Sequence, residues 1–233
     1  MAEFQPIATM RSACPTKFGI PRQSGLVTEL KSTIVFEPAY RNPEMLRGIE
    51  GFSYLWLIWS FSKSGDRWSP TVRPPRLGGN QRMGVFATRS PFRPNNLGLS
   101  SVRLERVELH TPEGPVLHVS GADLMDGTPI YDIKPYIPAD CHPEATSGFV
   151  SQNEWETLSV IIPPDLLARV PEEHRDGLLG VLEQDPRPSY QDDPNRVYGM
   201  SFAGCNVSFT VSDNTLTVTN VTSAKFTRRV DGK

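Results

Sequence analysis

Between Arg67 and Arg103 the chain carries seven arginines (Arg67, Arg73, Arg76, Arg82, Arg89, Arg93 and Arg103) and not one Asp, Glu or Lys. The stretch is also dense in Pro, Gly, Ser and Asn, so it is a poor candidate for a long helix or an ordinary solvated charged face. It reads as an anion-binding surface built on loops and short strands. The formal net charge is -2, so the remaining residues must sum to -9. The same punctuation runs through the whole chain, where 22 Pro and 18 Gly among 233 residues impose many turns and few long helices. A mainly β architecture with a small α+β appendage is expected, as one medium domain and a smaller one.

Several function classes are disfavoured at once. The N-terminus lacks the basic start and apolar run of an export signal, and the longest apolar stretch, residues 54–59, is too short to span a bilayer. A cytoplasmic protein without a membrane segment is expected. Three cysteines (Cys14, Cys141, Cys205) without a CxxC pair, and four histidines at no metal-ligand spacing, support neither a disulfide framework nor a metal site. A GxSxG elbow, a Walker loop and a GxGxxG fingerprint are absent.

Short β runs are expected at residues 34–36 and 54–61, the second buried on both faces, with a short helix over 41–49 between them. Further strands follow at 83–88, 100–109 and 116–119, the last two joined by the turn Pro112-Glu-Gly-Pro115. Asp126-Gly127 turns the chain into another β run, which residues 134–138 terminate. Residues 139–148 are the expected linker, separating a domain over 1–140 from a small α+β domain over 150–233. The latter should hold helices from Pro163 and over 172–184, then strands at 197–203, 206–211 and 215–222. Residues 212–214 close a terminal hairpin.

Chemistry-bearing residues concentrate where the β runs end. Pro74-Pro75-Arg76-Leu-Gly-Gly79 combines rigid φ angles with glycines free to take positive φ, which brings backbone N–H groups close to a ligand. Arg89, Ser90, Arg93 and Asn95 follow a strand directly, and two arginines four apart around Phe92 fit nucleotide-like ligands. Pairing with acidic residues of the other domain is an equal alternative for these arginines. Asp123 and Asp126 form the nearest approach to a paired-carboxylate motif; each could cap a turn, hold an ammonium or ribose hydroxyl, or accept a proton.

Together these segments resemble the TrmO-type family, also called TsaA-like or YaeB-like, of S-adenosylmethionine-dependent tRNA methyltransferases. The resemblance spans about residues 7–138. It rests on Pro21-Arg-Gln23, Gly51-Phe-Ser-Tyr-Leu-Trp56, the run from Arg73 to Asn80, Gly84 to Ser90, Arg93-Pro-Asn95, and Asp126 to Pro129 followed by Asp132-Ile-Lys-Pro-Tyr136. Gln184-Asp-Pro-Arg-Pro-Ser-Tyr190 extends it into the C-terminal part.

The resemblance implies an antiparallel β-barrel of six to seven strands and a homodimer with the methyl donor, S-adenosylmethionine, near the subunit interface. It also implies methylation of N6 of threonylcarbamoyl-adenosine at tRNA position 37, in the anticodon loop. By motif, Pro21, Arg22, Gln23, Arg89, Leu99, Asp126, Gly127, Thr128 and Pro129 would contact the methyl donor. Ser62 and Lys63 fall where many relatives carry His-Gln, and Asn96 stands where the family has Pro. Asp126 is the candidate proton acceptor, and Arg73, Arg76, Arg82, Arg93 and Asn95 are the candidates for holding tRNA. A non-catalytic RNA- or nucleotide-binding module that keeps the barrel is the alternative.

Overall fold

A computed structural model describes residues 4–65, 67–151, 156–187, 193 and 196–224. Its N-terminal half is built from strands whose side chains alternate between an apolar interior and a wetter exterior. They are β1 (Ala8–Ser12), β2 (Lys31–Phe36), β3 (Tyr54–Ser60), β6 (Leu97–Thr111), β7 (Gly114–Ser120) and β8 (Pro129–Pro135), closed into an antiparallel barrel in the order β1-β2-β7-β6-β3-β8. Ala8, Met10, Ile34, Leu55, Leu57, Val102, Leu117, Val119 and Ile130 fill the interior. Closure through β1 and β8 (Ala8 opposite Ile130) leaves this sheet without an edge.

Three local expectations are corrected. Residues 54–61 are not buried on both faces: Leu55, Leu57 and Trp59 point inward, whereas Tyr54 is 44% exposed and Trp56 and Ile58 are half-buried. A barrel strand has one interior face, and the apolar outer residues are covered by later segments, Trp56 by the Tyr136 ring at 5.4 Å. Residues 83–88 form no full strand. Only β5 (Met83–Gly84) pairs, with β4 (Thr71–Val72), before a 3-10 turn at Val85–Ala87 lifts the chain away. The expected helix over 41–49 is two 3-10 turns, Pro43–Leu46 and Ile49–Gly51, interrupted at Gly48, whose φ of 86° is left-handed.

The C-terminal unit places α1 (Pro164–Leu167) and α2 (Arg175–Glu183) beside a four-stranded sheet of β9 (Ser159–Ile161), β10 (Tyr198–Phe202), β11 (Cys205–Ser212) and β12 (Thr215–Ser223), in the order β10-β11-β12-β9. Alternation along β11 buries Cys205, Val207, Phe209 and Val211 against Leu178, Val181 and Leu182 of α2. The expected helix over 172–184 begins as a 3-10 turn, Glu172–His174, and residues 188–190 of the Gln184 motif lie outside the described residues.

Ala13, Cys14, Val27 and Leu30, from the connection between β1 and β2, belong to this second core and not to the barrel. The fit is close, since a Cβ on Gly180 would stand 2.6 Å from a Val27 methyl. The segment carrying Pro21, Arg22 and Gln23 is thereby suspended between the two units. Among the described residues, no helix is long and apolar enough to cross a membrane.

Candidate functional site

One rim of the barrel opens into a cleft of about 870 Å³, where the paired ends of β3 and β6 meet the 20–23 segment, the loop over 85–96 and the turn after residue 122. The 85–96 loop leaves the ribbon through the Val85–Ala87 turn and rejoins the barrel where Phe61 N–H donates to Asn96 C=O at 2.9 Å. Its prolines deny it a strand partner, so its side chains fan over the opening. Phe86 is 78% exposed, with the Arg93 guanidinium 5.9 Å from its ring centre.

The cleft floor follows from a polar residue at an inward barrel position. Ser100 alternates with Gly98 and Val102 on the interior side of β6, is 1% exposed, and needs partners there. It accepts a hydrogen bond from Trp59 Nε1 at 2.9 Å and donates to Asp123 Oδ1 at 2.5 Å. The Ser24 and Asp123 backbone N–H groups also donate to that carboxylate. Burial pushes the Asp123 carboxyl up from its usual range, against the opposing pull of the Ser100 hydroxyl, the backbone donors and the Arg89 charge. Trp59 and Phe61 form the apolar wall, with ring centres 4.3 Å apart.

Pro21, Arg22, Gln23, Ser62, Lys63, Arg89, Leu99 and Thr128, all expected at a methyl-donor site, line this cleft together with Arg93 and Asn95. They arrive from five separate segments of the chain. Arg89 Nη1 donates to Gln23 Oε1 at 2.5 Å and Gln23 Nε2 to Arg22 C=O at 2.6 Å, joining two of those segments directly. Arg22 reaches the other way, donating to the Gln184 and Asp185 carbonyls at 3.1 Å each. Its pKa is drawn down chiefly by burial, which Asp185 opposes and the Arg76 charge reinforces.

Asp126, Gly127 and Pro129 stand behind the wall and not in it. Asp126 Oδ1 accepts the Ser12 N–H at 3.0 Å, its own N–H donates to Cys14 C=O at 2.9 Å, and the Gly127 N–H donates to Met10 C=O at 2.8 Å. The turn thus ties β1 to the start of β8, and of its residues only Thr128 lines the cleft. Arg73, Arg76 and Arg82 also lie off the cleft wall: Arg73 is exposed, Arg76 donates to Val150 C=O at 2.9 Å and Arg82 to Thr71 Oγ1 at 3.2 Å. Arg89 and Arg93, for which pairing with acidic residues of the other domain was the alternative, donate to neutral oxygens of the barrel unit, as does Arg82, while Arg103 pairs with Glu105 of its own strand at 3.4 Å.

Of the two aspartates that the sequence pairs, Asp123 lines the cleft and Asp126, the candidate proton acceptor expected from the sequence, does not. The missed signal was Ser100, a polar residue in phase with inward apolar positions. Among the described residues, no three His, Cys, Asp or Glu side chains converge on one point.

The chain's resemblances to known proteins cover both units. The family model for the tRNA-methyltransferase O N-terminal domain matches residues 9–141, and that for the TrmO C-terminal domain matches residues 156–224. A tRNA (adenine(37)-N6)-methyltransferase of Escherichia coli is 38% identical over 221 residues, covering 91% of this chain and 94% of that protein. A second such enzyme, from Eikenella corrodens, is 47% identical over 162 residues, 69% of this chain and 91% of that protein. The crystal structure of TrmO from Pseudomonas aeruginosa superposes with a TM-score of 0.78 at 30% identity, covering 96% of this chain and 99% of that one.

Proposed function

The chain belongs to the tRNA-methyltransferase O family, and from that premise we propose that it transfers a methyl group from S-adenosylmethionine to N6 of threonylcarbamoyl-adenosine at position 37 of tRNA. The observation that carries the reading is the convergence of Pro21 to Gln23, Ser62, Lys63, Arg89, Leu99 and Thr128 on one cleft. Its volume, about 870 Å³, lies within the ordinary range for small-molecule sites. The residues present fit the methyl donor's chemistry, offering Trp59 and Phe61 to apolar and ring surfaces and Arg22, Lys63 and Arg89 to a carboxylate.

When bound, the sulfonium supplies an electrophilic methyl carbon and leaves as a neutral thioether. The chain's own residues do the positioning, and holding reactants in line supplies much of the rate gain in such transfers. Arg89 is fixed by Gln23, and Arg22 by the Gln184 and Asp185 carbonyls, so both cations are preorganised before a ligand arrives. The threonyl carboxylate and flanking phosphates of the substrate are met by Arg93 and by the arginine-rich ribbon outside the cleft, with Asn95 at the rim. The acidic remainder of the surface discourages contact elsewhere. A homodimer acting in the cytoplasm, with the cleft near the subunit interface, completes the reading.

Nucleoside mass spectrometry of tRNA from cells lacking this protein tests the proposal. Loss of N6-methylated threonylcarbamoyl-adenosine, restored by the gene, is expected; an unchanged level would overturn it.

A further inference from the structure

Methylation of an exocyclic amino nitrogen releases a proton, and among the described residues the cleft wall offers that proton one carboxylate. Besides Asp123, the charged side chains lining the cleft are Lys17, Arg22, Lys63, Arg89 and Arg93, all cations that are poor proton acceptors near neutral pH. We infer that Asp123 is the proton acceptor of the transfer, positioned by the hydrogen-bond chain from Trp59 through Ser100. The inference rests on the function proposed above. As the N6–carbon bond forms, the carbon–sulfur bond breaks with its electron pair left on sulfur. The N6–H electron pair stays on nitrogen, and the proton passes to an Asp123 oxygen.

Three features favour this residue. Asp123 lines the cleft, whereas Asp126 stands off its wall, with one oxygen accepting the Ser12 N–H. Its carboxylate is anchored by Ser100, whose hydroxyl is itself oriented by the Trp59 indole N–H, so the geometry does not depend on the substrate. Burial also makes it a stronger base than a solvated aspartate, a shift that the Ser100 hydroxyl and the facing charge of Arg89 oppose. An amino nitrogen conjugated to a ureido carbonyl is a weak nucleophile with a somewhat acidic proton, the case in which such an acceptor accelerates transfer most.

The test is single-turnover methyl transfer to tRNA across pH, run on wild type, Asp123→Asn and Ser100→Ala, with methyl-donor affinity measured by calorimetry. Asp123→Asn should slow transfer by about 10²–10³-fold and abolish the acid limb of the rate profile. Its affinity for the methyl donor should stay within about threefold of wild type. Ser100→Ala removes a hydrogen bond that favours the ionised carboxylate, so the limb should move to higher pH. A rate for Asp123→Asn within about threefold of wild type, or a rate loss matched by lost affinity, would overturn the assignment. A limb unmoved in Ser100→Ala would do so as well.

An independent readout uses the protein without ligand. The infrared carboxylic-acid band missing from Asp123→Asn should titrate above the usual aspartate range, and a band titrating within that range counts against the role. The pH profile of Ser100→Ala keeps the idea testable even where Asp123→Asn misfolds. Wild type leaving position 37 unmethylated in the same assay would instead sink the proposed function. Methylation by wild type and by Asp123→Asn at rates within about threefold of each other would sink only Asp123.

Discussion

Trp59 closes directly over the backbone of Gly98: a Cβ at residue 98 would lie 2.3 Å from the indole Cε2. The two residues are cross-strand partners on β3 and β6, and the absence of a side chain at 98 lets the indole N–H reach Ser100. Gly98→Ala should therefore displace the indole and overpack the rim, at a cost of about 1–3 kcal/mol. Urea unfolding measures the cost, and tryptophan fluorescence should report the displaced ring. Unchanged stability and emission would show that the ring yields freely.

Arg22 bridges the cleft to carbonyls 162 and 163 positions away. Arg22→Ala should lose about 1.5–3 kcal/mol for charge-assisted hydrogen bonds and weaken binding of the methyl donor at the same time. Thermal unfolding and calorimetry separate the two effects. A stability loss with unchanged affinity would confine Arg22 to joining the two units.

The buried Cys14 thiol has its pKa pushed up to about 12 from 9.0, chiefly by burial with Asp126 adding to it. A raised folded-state value means that the folded protein holds this proton more tightly than the unfolded chain. The resulting stability is complete below pH 9.0 and is lost progressively up to about pH 12. Cys14→Ala should flatten that alkaline decline in denaturation curves. At pH 7, alkylation of the folded protein should label exposed Cys141 and spare Cys14.

Affinity for tRNA should fall steeply between about 50 and 200 mM salt if the arginine-rich ribbon meets phosphates. Replacing Arg73, Arg76 and Arg82 together should lower the slope of log affinity against log salt by about two to three. A flat response in wild type would remove the ribbon from tRNA contact.

What was legible in the sequence was what depends on neighbours along the chain. Alternation in β11 and β12 and the turn at residues 112–115 are local, and both emerged as expected. Strand β1, Ala-Thr-Met-Arg-Ser, was not anticipated, because three of its five residues are polar and it is defined by the partners that close the barrel. Residues 83–88 look like a strand in composition, yet no barrel strand is available to pair with them. The two aspartates three apart were separable only by long-range contacts: Asp126 is claimed by Ser12, 114 positions earlier, which leaves Asp123 to Ser100 and the cleft.

The placement of residues 13–30 in the second apolar core bears on how this molecule would come apart. A protease cutting the exposed stretch over 139–148 would sever the covalent link while leaving Val27 and Leu30 seated against α2. The fragments should then travel as one particle through a sizing column and separate only in denaturant. Expressing the N-terminal piece alone would present Cys14, Val27 and Leu30 to water as a sticky strip, so a soluble barrel requires its companion to be made alongside it.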